Sequence, residues 1–375
     1  MNGELDTEFV SLQSNIDAGE EFFLTNNFKI ASFDFFDHQD QDDWEAFDRF
    51  FNRFYNFWSE EHINLPFRVL KNYDELQDIF DDILNLTHEW EHNHPSMKVH
   101  KGTPYYFYGM AAIKYGDIDK GLLLIHQAAE EDRRYGRTTS PALSFIILDD
   151  ENTQQFFKSK VKITADFLET KLQEYRNIHS ALNTCLDLKS FRKKFLLKDK
   201  YIDDSYLFIY SIFKYHNFIT EIEQRYRKNP LASYIETNII FDLCKLCEVI
   251  LKKIKNETRY QDLHSCYNEF CHDPKVRLRL GGRNLINLGN LDANEFKTTL
   301  KWLLNRSIRQ ENKFPSLLTP KSIEYDITLA YGLRNFSAHK IQVKKVIYDN
   351  FEEVVQSILN TFFFIVEKKL PEKNI

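Results

Sequence analysis

Apolar residues recur every three or four positions over long stretches of this chain, and neither glycine nor proline interrupts them. Phe351, Val355, Ile358, Phe362, Ile365 and Val366 form one such stripe; Ile235, Ile239, Leu243, Cys247, Ile250 and Ile254 form another. A period near 3.6 puts the members of each stripe on one face of a helix. A many-turned β fold needs frequent breakers, and 375 residues contain only 11 Gly and 9 Pro. The chain is therefore expected to be all-α. With 43% apolar residues and 33 Phe it can bury real cores, and wholesale disorder is excluded.

Further helices follow from the same pattern. Trp44, Phe47, Phe50, Phe51, Phe54 and Phe57 make a buried stripe, with Asp40, Asp42 and Asp43 before it or in its first turn, where carboxylates favour the dipole. A second helix is predicted from about Tyr73 to Trp90, with Leu76, Phe80, Ile83 and Leu84 on one side. Gly102–Arg134, GTPYYFYGMAAIKYGDIDKGLLLIHQAAEEDRR, predicts two antiparallel helices that turn at Gly116-Asp117. Pro104 suits a first turn, and the small residues Gly109, Gly121 and Ala128 let the two helices approach closely. This segment resembles one tetratricopeptide (TPR) repeat of about 34 residues. Tyr105, Tyr108 and Gly109 match its first helix, Gly116-Asp117 its turn, and Gly121, Ile125 and Ala128 its second helix. Since single repeats are not stable alone, the resemblance implies that flanking helices complete a stack. Helices at about 151–176 and 203–227 extend the pattern, and Arg227-Lys228-Asn229-Pro230 marks a polar boundary. The expected domains are a TPR-like helical array over 1–228, acidic at its N-terminus, and a helical bundle over 229–375. The bundle's helices are expected at about 232–255, 294–310, 322–339 and 350–370, with an irregular segment, Asn256 to Leu291, after the first.

The third of these helices, Ser322–His339, ends in a polar cluster of Arg334, Asn335 and His339. RNA can be cut without a metal when its own 2′-OH attacks the adjacent phosphorus. That reaction needs a base, an acid and positive charge on the equatorial oxygens. Histidine suits proton transfer at neutral pH, and arginine grips phosphate in a planar, bidentate manner. Asn335 can orient the imidazole or donate to a phosphate oxygen. Asn335 and His339 are i,i+4 and share a helix face, whereas Arg334 and His339 are i,i+5, about 140° apart on an ideal helix. Convergence on one phosphate therefore requires a helix break or a second chain. Arg259 and His264 repeat the Arg-x4-His spacing, but without the Asn and within the irregular segment.

Arg334-Asn335-x3-His339, placed before the last long helix of a four-helix unit, resembles the HEPN family (higher eukaryotes and prokaryotes nucleotide-binding). The resemblance implies a HEPN-like four-helix bundle and a metal-independent endoribonuclease of the toxin or antiviral-defence type. It implies a composite site in a homodimer formed through the C-terminal bundle, with no cofactor. His339 would be the acid/base, Arg334 the phosphate and transition-state stabiliser, and Asn335 the orienting residue. The N-terminal array would bind a protein partner or trigger that gates the nuclease. The alternative is a non-catalytic TPR/HEPN scaffold that binds RNA or protein.

Charge distribution fits a polyanionic ligand. Residues 1–100 carry 22 acidic and 6 basic side chains, and residues 101–375 carry 34 and 43. Lys340, Lys344 and Lys345 directly after the motif, and Lys275, Arg277, Arg279 and Arg283 in the irregular segment, are candidate RNA contacts. Gly281-Gly282 lacks the rest of any phosphate-loop pattern. Cys244-x2-Cys247 with Cys266-x4-Cys271-His272 has the ligand types for zinc, but Cys247 falls on an apolar stripe, so no metal site is assigned. His92, His94 and His100 lack ligand spacing and read as a surface loop. Five cysteines, an odd number, with no signal-peptide pattern predict a reducing cytoplasm, and the apolar run Phe362–Val366 is far short of a membrane span.

Overall fold

The computed structural model describes residues 73–96, 98–137, 139–149, 151, 155–222, 232–254, 323–337 and 350–370. Among them the structure is helical, and no strand occurs. Four expectations lie outside the described residues: the helices around 44–57 and 294–310, the irregular segment 256–291, and the boundary at Arg227–Pro230. The chain divides into two compact units, Met1–Phe145 with Asp149–Ser159, and Ile146–Leu148 with Lys160–Ile375. Among the described residues no helix is long and apolar enough to cross a membrane.

In the first unit, α1 (Tyr73–Asn93), α2 (Gly102–Lys114) and α3 (Ile118–Arg134) pack around α2, which is buried from Pro104 to Ile113. A helix that is apolar all round must be the central one, and the Tyr and Phe content of α2 meets that requirement. Phe80 of α1 stacks on Tyr108 at 4.9 Å. The predicted hairpin is present. Gly116, at φ +93°, takes the left-handed conformation that ends α2, and the Asp117 side chain accepts a hydrogen bond from Lys120 N to start α3. A Cβ on Gly109 would lie 2.7 Å from Gly121 O, and one on Gly121 would lie 2.5 Å from Ile113 Cγ1. The two helices therefore touch through backbone at this point.

Helix α4 (Pro141–Ile146) follows α3 in the chain, and the second unit contains residues 160–178 of α5 (Gln155–Ile178), α6 (Leu188–Phe191) running into a π-helical turn at Arg192–Leu196, and α7 (Ile202–Asn217). It also contains α8 (Ala232–Ile254), α9 (Ile323–Ser337) and α10 (Phe351–Lys369). Helices α8, α9 and α10 pack on one another, and α7 packs on α8. The stripe predicted on α10 is buried in full, but so is the rest of that helix, Glu352, Glu353, Lys368 and Lys369 excepted. The reason is that α5 and the 188–196 segment cover its other sides. Phe191, Phe195 and Phe208 surround Phe362, with Phe208 stacked on it at 4.9 Å. Polar residues on α10 stay buried because each finds partners. Glu367 accepts from Tyr175 Oη at 2.7 Å and from Cys185 N at 2.6 Å.

Candidate functional site

Arg334 stands in the last turn of α9, three residues before that helix ends. Its Nε donates to Glu248 Oε2 of α8 at 3.0 Å, and its side chain keeps 30% of its exposure. Helix α8 delivers Glu248 here because its neighbours on the apolar stripe point into the bundle. Cys247 Sγ lies 4.0 Å from Ile358 O of α10, and Cys244 Sγ lies 3.5 Å from Ala330 O of α9. Burial pushes both thiols up, which keeps them protonated as core side chains. The second oxygen of Glu248 receives the Lys252 ammonium one turn further along α8. One nearly buried carboxylate is thus shared by two cations at the end of α9. A guanidinium anchored through Nε has its plane fixed, and a fixed plane suits bidentate recognition of a phosphate.

Of the remaining sequence-predicted site, Asn335 belongs to the helical backbone of α9. His339, Lys340, Lys344, Lys345, Lys275, Arg277, Arg279 and Arg283 lie outside the described residues, as do Arg259, His264, Cys266, Cys271 and His272. The structure brings Arg334 together with Glu248 and Lys252, which the sequence reading had not selected. A signal for them was present: Glu248 and Lys252 are an i,i+4 acid–base pair that directly follows the stripe residue Cys247.

A second polar constellation in the same unit was also missed. His179 Nε2 and Asp326 Oδ2 are 2.7 Å apart, with side chains only 1% and 4% exposed. Asn360 Nδ2 donates to the same Asp326 oxygen at 2.9 Å, and Gln356 Nε2 donates to Asn360 Oδ1 at 2.8 Å and to Lys171 O at 3.2 Å. The polarity of this relay is set by the carboxylate, which can only accept when ionised. Each amide must therefore present its nitrogen towards Asp326, and Gln356 Oε1 is left without a hydrogen-bond partner among the described residues. A cavity of about 310 Å³ lies beside the relay, with Glu174, Glu352, Glu353 and Ser357 in its wall. The His179–Asp326 pair is almost fully buried and ties the residue after α5 to α9. The clue in the sequence was an acid, Asp326, at the i+3 position from Ile323 and directly before Ile327 on an otherwise apolar helix face.

In the first unit the titratable groups are also used for structure. Lys101, 2% exposed, donates from Nζ to Glu91 Oε1 at 2.6 Å and to Val99 O at 3.0 Å. Burial pushes the Glu91 carboxyl up, but the Lys101 ammonium and the Val99 N–H outweigh it and hold the group below its ordinary value. His100, read from sequence as part of a surface loop, is instead half-buried and 2.7 Å from Asp132. The Asp132 carboxylate draws the imidazole inward. His92 is exposed, and His94 stacks on Trp90 at 4.0 Å. No family model, curated protein or solved structure matches the chain.

Proposed function

We propose that the protein is a metal-independent endoribonuclease of the HEPN type, cleaving RNA by 2′-OH attack with Arg334 on the phosphate, His339 as acid/base and Asn335 as the orienting group. The observation that carries this reading is the hold on Arg334. A carboxylate from a neighbouring helix fixes its guanidinium at the end of α9, with a second cation beside it. Charge placed and oriented in advance is what stabilises a pentavalent phosphorane-like transition state. The site would be completed by a two-fold partner, because one imidazole does not readily act as base and acid in the same step. The N-terminal helices would bind the partner or trigger that gates cleavage, as a toxin or defence effector requires.

The test is cleavage of single-stranded and structured RNA in excess EDTA, alone and with candidate triggers. Wild-type protein is expected to cut, and Arg334→Ala and His339→Ala are expected to be inert, with the same dependence in a co-expression toxicity assay. Equal RNA patterns from wild type and His339→Ala in both assays would remove the enzyme. The second reading, a non-catalytic TPR/HEPN-like scaffold, draws on the same ion pair, since Glu248 also gives Arg334 a purely structural task. Under that reading Arg334→Ala lowers stability and nothing else.

A further inference from the structure

The segment 188–200 of the second unit is a run of cations. Lys189, Arg192, Lys193, Lys194, Lys198 and Lys200 face only Asp199 in charge, with Asp187 just before the run. Helix α6 and the π-helical turn that continues it put Phe191, Phe195 and Leu196 into the core; Lys189 and Lys193 are left outward, while half-buried Arg192 donates to Leu148 O and Lys194 to Glu367 O at 3.2 Å. Lys189 and Lys193 are exposed and Lys198 is half-buried, and none of the three side chains has an ion pair or hydrogen bond among the described residues. The carboxylate of Asp187 is committed locally, accepting from Ser190 N at 2.7 Å.

The run does not end in isolation. Lys200 Nζ donates to Lys253 O at 3.0 Å, which seats the end of the segment on the last turn of α8. On that same turn Lys252 shares Glu248 with Arg334. Cations therefore continue from Lys189 through Lys200 and the last turn of α8, where Lys253 is paired with Asp204 at 2.6 Å, to Arg334. The only large apolar side chain exposed in the segment is Leu197, at 55%. A surface that lies on a lipid interface needs an apolar face to insert, and this one has none. A flexible polyanion with regularly spaced charges in water meets the requirement instead.

We propose that residues 189–200 and the last turn of α8 form a track for the phosphate backbone of single-stranded RNA, which leads the strand to Arg334. The proposal rests on the ribonuclease reading for the identity of the ligand, and its test is kept separate from cleavage. Binding of a fluorescent, uncleavable 2′-O-methyl oligoribonucleotide is measured by anisotropy in EDTA across a salt series, using the full-length protein. Two triple variants are compared with wild type by thermal melting first, to show that each folds. The track variant is Lys189→Gln/Lys193→Gln/Lys198→Gln. The charge-matched control is Lys98→Gln/Lys162→Gln/Lys245→Gln, which removes three exposed lysines elsewhere.

Each phosphate contact on a single strand contributes about 0.7 to the slope of log K against log salt. The track variant is expected to lower that slope by about 2 and to weaken binding at least about tenfold at ~0.1 M salt, with the control unchanged. The proposal is overturned if the track variant binds like wild type, or if the control loses as much. It is also overturned if anionic vesicles bind through these lysines while the oligoribonucleotide does not. A protein that binds along the track yet leaves natural RNA intact loses the nuclease and keeps the track. One that cuts RNA with equal affinity in both variants keeps the nuclease and loses the track.

Discussion

Glu248 carries two cations on one carboxylate at 7% side-chain exposure, and its task can be separated from its contribution to folding. Glu248→Gln keeps the shape and one acceptor but removes the charge that fixes the Arg334 plane. A misplaced guanidinium costs transition-state stabilisation more than ground-state binding. Under the proposed ribonuclease reading the variant is expected to lose kcat about tenfold with KM nearly unchanged, and to add no further loss in an Arg334→Ala background. A fall in thermal stability with kinetics intact would make Glu248 structural only. Glu91 offers a residue-level test in the other unit. Its folded pKa is depressed, so its stabilising contribution is present above the unfolded carboxylate value and is lost as pH falls through the folded one. Glu91→Gln strips the nearly buried Lys101 ammonium of its closest partner and is expected to destabilise by roughly 3 kcal/mol at neutral pH. Melting temperatures of wild type and variant should converge as pH drops below the ordinary glutamate value and through the lower folded one. A gap that stays constant with pH would show that the Glu91 charge contributes nothing. Neither the Glu248–Arg334 pair nor the Glu91–Lys101 pair was announced in the sequence. Arg334 lies 86 positions from Glu248, and periodicity reports which face of a helix is buried, not which distant charge it meets.

Helices are where the sequence was most legible. The apolar stripes of α8 and α10 lie inward, and the predicted turn at Gly116-Asp117 stands where two short-range signals, a left-handed glycine and a capping carboxylate, coincide. Illegible from the pattern was the burial of nearly all of α10. A polar residue such as Asn360 reads as a solvent face until its partner on α9, Asp326, is known. The α2–α3 hairpin gives a sharp test of why its glycines are there. At Gly109 an added Cβ would meet the backbone oxygen of Gly121, which cannot rotate away, so the helices must separate. Gly109→Ala is expected to destabilise by about 2 kcal/mol despite the better helix propensity of alanine. At Gly116 there is open space around a Cβ and only the positive φ to oppose it, so Gly116→Ala is expected to cost about 1 kcal/mol. Denaturant melts that rank the two variants in the opposite order would refute close backbone packing as the organising feature of the hairpin.

At the scale of the whole molecule, an acidic stretch over residues 1–100 precedes a basic remainder, and the proposed chemistry asks for more than one chain. Helix α9 continues through Ser337, three residues past Arg334, so a distortion that turned His339 towards Arg334 of the same chain would have only residues 338 and 339 in which to act. The i,i+5 spacing otherwise directs the two side chains about 140° apart. In the proposed dimer a two-fold partner would relieve both constraints, since Arg334 of one chain and His339 of the other would meet across the axis and two imidazoles would divide the proton transfers. Specific activity is therefore expected to depend on concentration. Below the dissociation constant of the dimer, cleavage per chain should fall in proportion to the dimer fraction measured by sedimentation, and above it should reach a plateau. Covalent tethering of two copies should restore activity at dilutions where the untethered chain has lost it, because the effective concentration of the second copy no longer falls with dilution. Cleavage per chain that stays constant into a range where sedimentation shows only monomer would place the base, the acid and the guanidinium in one chain, and the composite site would have to be abandoned.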